Sequence, residues 1–283
     1  MSTGRAVISV SISIVTFYTA QEEFEELITH LGTAINTARK SLEGAAGDIS
    51  LTVIDNSCNR DVYERLSSYV KLCESGLGAR VSTIKSSANI GYGAAHNVAL
   101  KEENSTFHLV LNPDVLLSPE VLVNGLHFML ANSNIGLLSP KVVDSQGERS
   151  FLCKRYPTVF DLFLRGFAPL WLKRNFQRRL DHYEMRDQTR NETQFGIPIV
   201  SGCFMLFRTD VLKQLNGFDE RYFMYFEDFD ICMRMHGVAD IAYVPSVSIS
   251  HSGGDAARKG VRHIVMFITS AFRFFSRWGW KWW

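Results

Sequence analysis

The chain opens on an alternation. Ile8, Val10, Ile12 and Ile14 are separated by Ser9, Ser11 and Ser13, a period of two that predicts a strand near 7–17. The period then lengthens. Phe24, Leu27, Ile28, Leu31, Ile35, Ala38 and Leu42 fall on one face at helical spacing and predict a helix near 21–43. The same exchange of periods continues. It gives a strand at 51–55, a helix near 60–73, a strand near 79–84, a helix following Gly93, a strand at 107–111 and a helix near 118–131. Strands alternating with helices predict an α/β fold, Rossmann-like, with a mostly parallel sheet and helices on both faces. Beyond 131 the pattern changes. A hairpin near 139–150 precedes a basic, aromatic and irregular stretch at 154–190. An apolar strand-like run at 197–207, a helix near 227–237, short strands near 240–250 and a last helix near 260–276 complete the chain. No internal repeat and no Pro/Gly/Ser linker interrupts it. The expectation is a single domain over 1–283, with one part at about 7–131 and a smaller mixed region within about 132–283.

Composition narrows the classes. Of 283 residues, 46% are hydrophobic and 21% charged, which is ordinary for a globular protein. The formal net charge of +1 supplies no global field for nucleic acid, so any anion must be bound locally. The five cysteines (Cys58, Cys73, Cys153, Cys203 and Cys232) are odd in number and lack C-x-x-C spacing. That argues against a zinc site or a disulfide framework and for reduced thiols in the cytoplasm. The stretch from Ala6 to Tyr18 is apolar, but its alternation and the bulky Tyr18 argue against an export signal. No run reaches the ~18 consecutive apolar residues of a spanning helix.

In an open parallel sheet, ligands bind beyond the carboxyl ends of the strands. Three polar groups are expected there: Thr16-Phe17-Tyr18, Asp55-Asn56-Ser57 and Asn112-Pro113-Asp114. A carboxylate at Asp114 can bind Mg²⁺ or Mn²⁺, which need only one or two protein carboxylates when phosphates complete the shell. The plain alternative is a Pro-Asp turn that ends a strand. Asp55 can accept from a base or a ribose hydroxyl, or can simply form an Asx turn. Asn89-Ile-Gly-Tyr-Gly93 opens a helix, where glycines admit close backbone approach and N–H groups favour phosphate. A tight strand-to-helix connection explains it equally well. Tyr222, Phe223, Tyr225 and Phe226 stand directly before Glu227, Asp228 and Asp230. A carboxylate against apolar walls has its pKa raised toward that of a general base. Helix capping explains the acids but not the aromatics. His251 precedes Ser252-Gly253-Gly254 and can reach a metal or a phosphate.

Taken in order, these pieces resemble glycosyltransferase family 2, the inverting enzymes of GT-A fold, and within it the bacterial rhamnosyltransferases of lipopolysaccharide and cell-wall polysaccharide synthesis. The resemblance runs through Ile14–Tyr18, Val53–Ser57, Asn89–Gly93 with Asn97, Leu111–Asp114, Ser201–Met205, Gly217–Asp219, Tyr225–Asp230 with Arg234, and His251–Gly254. It implies that Thr16, Tyr18, Asp55, Asn89 and Gly91 hold the nucleotide of a diphosphate-sugar donor. It implies that Asp114, with His251 as a further ligand, binds Mg²⁺ or Mn²⁺. The family pattern D-x-D has Asn112 at its first position here. Asp228 would be the catalytic base with Glu227 beside it, and Ser201-Gly202-Cys203 would face the reacting sugar. The implied donor is dTDP-rhamnose, with a UDP-sugar as the alternative, and the implied acceptor is a glycan or glycolipid hydroxyl. Rival readings are a non-catalytic nucleotide-sugar-binding module and a nucleotidyltransferase. The intact acid pair argues against the first. The absence of a glycine- and Arg/Lys-rich loop after the first strand argues against the second.

A location is also implied. Residues 160–179 and 272–283 interleave large apolar side chains with Arg and Lys. That mixture suits the headgroup layer of an anionic membrane, reached from the cytoplasmic side. The alternative packs the last helix onto the core through Val261, Ile264, Val265, Ile268, Phe272 and Phe275.

Overall fold

A computed structural model of the chain describes residues 8–42, 46–101, 103–144, 146–251 and 260–283. The alternating N-terminal stretch forms β1 (Ile8–Thr16), α1 (Gln21–Ser41), β2 (Ala46–Asp55), α2 (Arg60–Leu77), β3 (Arg80–Lys85), α3 (Tyr92–Leu100) and β4 (Phe107–Leu111). A three-residue strand, β5 (Val115–Leu117), and α4 (Val121–Ala131) follow. Then come β6 (Ile135–Val143), β7 (Arg149–Ser150), β8 (Cys153–Lys154), α5 (Val159–Gly166), α6 (Leu170–Asn175) and α7 (Gln177–Tyr183). The last elements are β9 (Gln194–Phe195), β10 (Ile199–Val200), β11 (Phe204–Arg208), α8 (Thr209–Gln214), α9 (Glu227–Met235), β12 (Asp240–His251) and α10 (Val261–Trp278).

Local chemistry sets several of these limits. The Asn59 side chain accepts from the N–H groups of Asp61 and Val62 to start α2, and Gly78, at φ 70°, ends it in the left-handed conformation. Thr158 and Asp161 form a reciprocal capping box at α5.

The main sheet has the order β3-β2-β1-β4-β11-β6-β12-β5. β1 to β4 are mutually parallel, β11 runs antiparallel to β4 and β6, β12 is parallel to β6, and β5 is antiparallel to β12. One face buries Ile8, Val10, Ile12 and Ile14 against Phe24, Leu27 and Leu31 of α1. The serine face of β1 is covered too. Ser11 and Ser13 are buried because Ser11 Oγ lies 2.7 Å from His108 Nδ1, and Ser13 Oγ 2.7 Å from His96 Nδ1 and 2.9 Å from His108 Nε2.

Three expectations are corrected. The stretch 154–190, read as irregular, contains α5, α6 and α7, each too short for a helical period to show. The apolar run 197–207 is two strands, β10 and β11, broken at Ser201-Gly202-Cys203. The stripe expected to seat the last helix does not do so as a whole. Phe275 is buried, whereas Val261, Val265, Ile268 and Phe272 point outward, and α10 packs through Ser270, Phe274 and Phe275. Among the described residues, no helix is long and apolar enough to cross a membrane.

Candidate active site

Strand direction gathers the site. Because β11 is antiparallel to β4, with Phe204 opposite Leu111, the turn Ser201-Gly202-Cys203 that leads into β11 meets the carboxyl end of β4. The Asn112 N–H donates to the Cys203 carbonyl at 2.9 Å. The chain then continues through Pro113 and Asp114 into β5, whose Val115 pairs with His251 at the end of β12. This places Asp114 Oδ1 3.2 Å from His251 Nε2.

The acid pair reaches the same point from the other side. Tyr225 and Phe226 both adopt left-handed backbone conformations, at φ 67° and 66°. Two consecutive aromatic residues there cost of order 1–3 kcal/mol each. Packing offsets the strain: the Phe226 ring lies 5.2 Å from Phe267 and 5.3 Å from Phe274, and the Tyr225 hydroxyl is 2.8 Å from His263 Nδ1. The turn delivers Glu227 and Asp228 as the first two residues of α9. Asp228 Oδ2 accepts from the Gly202 N–H at 3.0 Å, and Oδ1 from the Phe229 N–H at 2.9 Å. Burial pushes the Asp228 carboxyl up to about 6, against the opposing pull of those N–H groups. Glu227 is buried, its Oε2 has no hydrogen-bond partner, and burial together with the neighbouring Asp228 holds it well above the usual carboxylate range.

Tyr92, not singled out from the sequence, joins the two sides. Its hydroxyl lies 2.7 Å from Asn112 Oδ1 and 2.9 Å from the Gly202 carbonyl, a proton shared between two acceptors. Burial and the surrounding carboxylates push that phenol up. Asp228, Gly202, Tyr92 and Asn112 thus form one hydrogen-bonded chain. All four line a cavity of about 560 Å³ together with Asp114, His251, Ser201, Cys203 and Glu227. Arg149, Arg165 and Arg186 also line it, together with Glu184, which pairs with Arg165 and Arg186; the sequence showed these only as scattered charged residues.

The residues expected at the nucleotide form a second group that does not line this cavity. Thr16 and Asp55 are register partners at the ends of β1 and β2, both buried. The Asp55 carboxylate accepts from the Ser57 N–H at 2.9 Å and hydroxyl at 2.8 Å, the Asx-turn arrangement. Tyr18 is exposed, with φ 50°. Asn89 Oδ1 accepts from the Gly91 N–H at 3.1 Å, and the Gly91 carbonyl accepts from Asn56 Nδ2 at 2.9 Å. Gly91 also links the two groups. It sits at φ 91°, where an added Cβ would run into the carbonyl of Phe223, the partner of the Tyr92 N–H.

The donor set fits a hard divalent cation. The Asp114 carboxylate suits Mg²⁺ or Mn²⁺, the His251 imidazole favours the softer Mn²⁺, and two ligands ~2.1 Å from one octahedral ion stand roughly 3 Å apart, close to the Asp114–His251 separation. Among the described residues no third His, Cys, Asp or Glu completes a cluster.

A mostly parallel sheet, interrupted by antiparallel β11 and edged by antiparallel β5, with an acid pair and the Asn-Pro-Asp turn lining one cavity, is the arrangement of a glycosyltransferase of GT-A fold. The chain matches the family described as Glycosyltransferase like family 2 over residues 36–264, and it belongs to that family. It is similar to the N-acetylglucosaminyl-diphospho-decaprenol L-rhamnosyltransferase of Mycobacterium tuberculosis, 25% identical over 72% of this chain and 69% of the relative. It is also similar to the rhamnosyltransferase WbbL of Escherichia coli K12, 24% identical over 66% of this chain and 70% of the relative. In structure it resembles the mannosyltransferase PcManGT of Pyrobaculum calidifontis, solved with GDP-Man and Mn²⁺, at TM-score 0.59 and 16% identity. The similarity covers 93% of this chain and 64% of that one. GalNAc-T7, solved with UDP, GalNAc and Mn²⁺, gives a TM-score of 0.61 at 16% identity over 87% of this chain and 43% of that one.

Proposed function

We propose that this glycosyltransferase moves a single hexose, L-rhamnose from dTDP-rhamnose, onto a hydroxyl of a lipopolysaccharide or lipid-linked cell-wall glycan, with inversion at C1. The observation that carries the reading is Asp228. It is a carboxylate held by two backbone N–H groups, raised toward neutrality by burial, and open to the same cavity as Asp114 and His251. The rhamnosyltransferases among its relatives support the sugar.

In this reading Asp228 accepts the proton of the acceptor hydroxyl while that oxygen bonds to C1 and the bond from C1 to the diphosphate oxygen breaks. Asp228 is anchored by Gly202, so it points at one position rather than sampling several. Glu227, held above the usual carboxylate range beside it, presents an unpartnered Oε2 that would meet an acceptor or sugar hydroxyl. Asp114 and His251 would hold a Mg²⁺ or Mn²⁺ ion, which supplies charge stabilisation to the leaving nucleoside diphosphate. Thr16, Tyr18, Asp55, Asn89 and Gly91 would bind the nucleotide at the strand ends beside the cavity, and Ser201, Gly202 and Cys203 would flank the transferred sugar. One displacement suffices, with no enzyme nucleophile.

The test is a product assay on a panel of dTDP- and UDP-sugars with Mn²⁺. Release of dTDP from dTDP-rhamnose in step with acceptor glycosylation is expected. Release of pyrophosphate, or turnover of UDP-sugars alone, would overturn the reading.

A further inference from the structure

Among the described residues, the outward face of α10 has no partner. Val261, Val265, Ile268 and Phe272 follow one another at spacings of four, three and four, a full apolar stripe, and they are 76%, 57%, 56% and 63% exposed. The inward face of the same helix is already buried through Phe274 and Phe275. α10 therefore carries apolar residues on two faces, of which folding uses one.

The stripe extends into a wider surface. The Phe272 ring lies 5.5 Å from Trp280, and Trp280 stacks on Trp282 at 5.2 Å. Beyond them the N–H of Phe160 donates to the Trp282 carbonyl, and Phe160 stacks on Trp283 at 4.5 Å. On that side Phe163, Phe167, Leu170 and Trp171 are exposed as well. Singly exposed apolar residues are normal, but a contiguous aromatic surface marks an interaction site.

Charge identifies the partner. Residues 162–180 and 260–283 together hold nine Lys and Arg and not one Asp or Glu, in a chain whose net charge is only +1. Arg165, Arg179 and Arg277 are engaged by Glu184, Asp161, Asp219 and Asp230. Among the described residues Lys173, Arg174, Arg178, Arg262, Arg273 and Lys281 take part in no ion pair. A second copy of this chain seated symmetrically on this face would set like charges against one another. An anionic surface that also accepts indole rings at its boundary meets both features.

The surface is continuous with the cavity. Phe167 at the end of α5 is exposed and lines the cavity, its ring 6.2 Å from Phe267 of α10, and Ile264 and Phe267 of α10 line the cavity too. We propose that α10 and the α5–α6 segment form a docking face for an anionic lipid bilayer, oriented so that the active-site cavity opens onto the headgroup layer. An acceptor anchored in that bilayer then enters between α5 and α10 without leaving the membrane surface. Only the nature of that acceptor rests on the function proposed above, because the docking itself is read without any sugar.

The experiment is co-sedimentation of the full chain with phosphatidylcholine vesicles, with and without phosphatidylglycerol, at low and high salt, alongside size-exclusion chromatography. Two variants accompany the wild type, Ile268→Glu/Phe272→Glu and Arg174→Glu/Arg178→Glu. Each changes exposed residues only, and unchanged thermal unfolding verifies the fold. Wild type is expected to bind the anionic vesicles at low salt and to be weakened by high salt. Each variant should lose at least about tenfold in affinity, because a charge replaces buried apolar contact or opposes the headgroups. Absence of wild-type binding to anionic vesicles at low salt would overturn the proposal. So would equal binding by wild type and both variants, or a stable dimer that Ile268→Glu/Phe272→Glu dissociates while wild type ignores lipid. Failure of the donor assay with vesicle binding intact would count against the sugar reading and not against the docking face.

Discussion

The carboxylate of Asp228 is fixed by the backbone of Gly202, with Oδ2 3.0 Å from that N–H, and a Cβ at residue 202 would stand 3.2 Å from the Asp228 Cβ. The glycine therefore does two things: it donates a hydrogen bond and it makes room for the acid that receives it. Asp228→Asn keeps the volume and removes the proposed base. A fall in kcat of about 10²–10⁴-fold is expected, with nucleoside diphosphate affinity by calorimetry unchanged. In the wild type, kcat/KM should decline as pH falls through about 6, where Asp228 takes up a proton. An Asn variant with near-normal turnover would remove Asp228 from the chemistry.

Asp114→Ala would leave His251 as the one remaining member of the proposed ligand pair at the end of β12. In this variant, Mn²⁺ should no longer strengthen nucleoside diphosphate binding in titration calorimetry. The wild type should lose activity in excess EDTA and regain it when Mn²⁺ or Mg²⁺ is restored. Full activity in EDTA would exclude the metal.

Gly91→Ala probes the link between the two residue groups. At φ 91°, with the Phe223 carbonyl in the way, an alanine is strained in backbone and in space. A loss of about 1–3 kcal/mol is expected, read as a lower midpoint in urea unfolding. A Gly91→Ala protein as stable as wild type would show that the turn relaxes easily.

The buried His108 predicts a pH dependence of stability. Burial lowers its pKa from 6.5 to about 4, so the folded chain keeps the ring neutral while the unfolded chain protonates it below 6.5. The contribution is complete above pH 6.5, falls as pH drops from there toward 4, and is lost below it, amounting to about 3 kcal/mol. Urea unfolding across this range in wild type and His108→Gln should show a steeper acid loss in the wild type. Parallel curves would contradict it.

Much of this was legible in the chain. Long periodic segments such as α1 and the apolar register of β1 were set by patterns that nothing downstream contests. The serines of β1 mislead, because alternation ordinarily means a wet face. Here that face is dry, and His96 and His108, distant in sequence, satisfy the hydroxyls. β5 is three residues long and leaves no period to read, yet it is the element that carries Asp114 to His251. The turn at Ser201-Gly202-Cys203 lies inside an apolar run and was marked by the family resemblance, not by the hydrophobic pattern. Tyr92 looked like a spacer between two glycines, and only the fold sets its hydroxyl between Asn112 and Gly202. The acid pair stood out because the aromatic run before it has no capping purpose.

The sheet order has a consequence for how such a chain can change. β4 and β5 are adjacent in sequence, yet β11, β6 and β12 lie between them in the sheet. A fragment ending near residue 131 would strip β4 of its β11 partner along Phe107–Leu111, five buried residues, and leave β5 with nothing to pair against. Bare edges of that kind template aggregation. The stretch up to residue 131 therefore depends on β11 and β12 to close its own strands, and cutting the chain there would divide one sheet, not separate two.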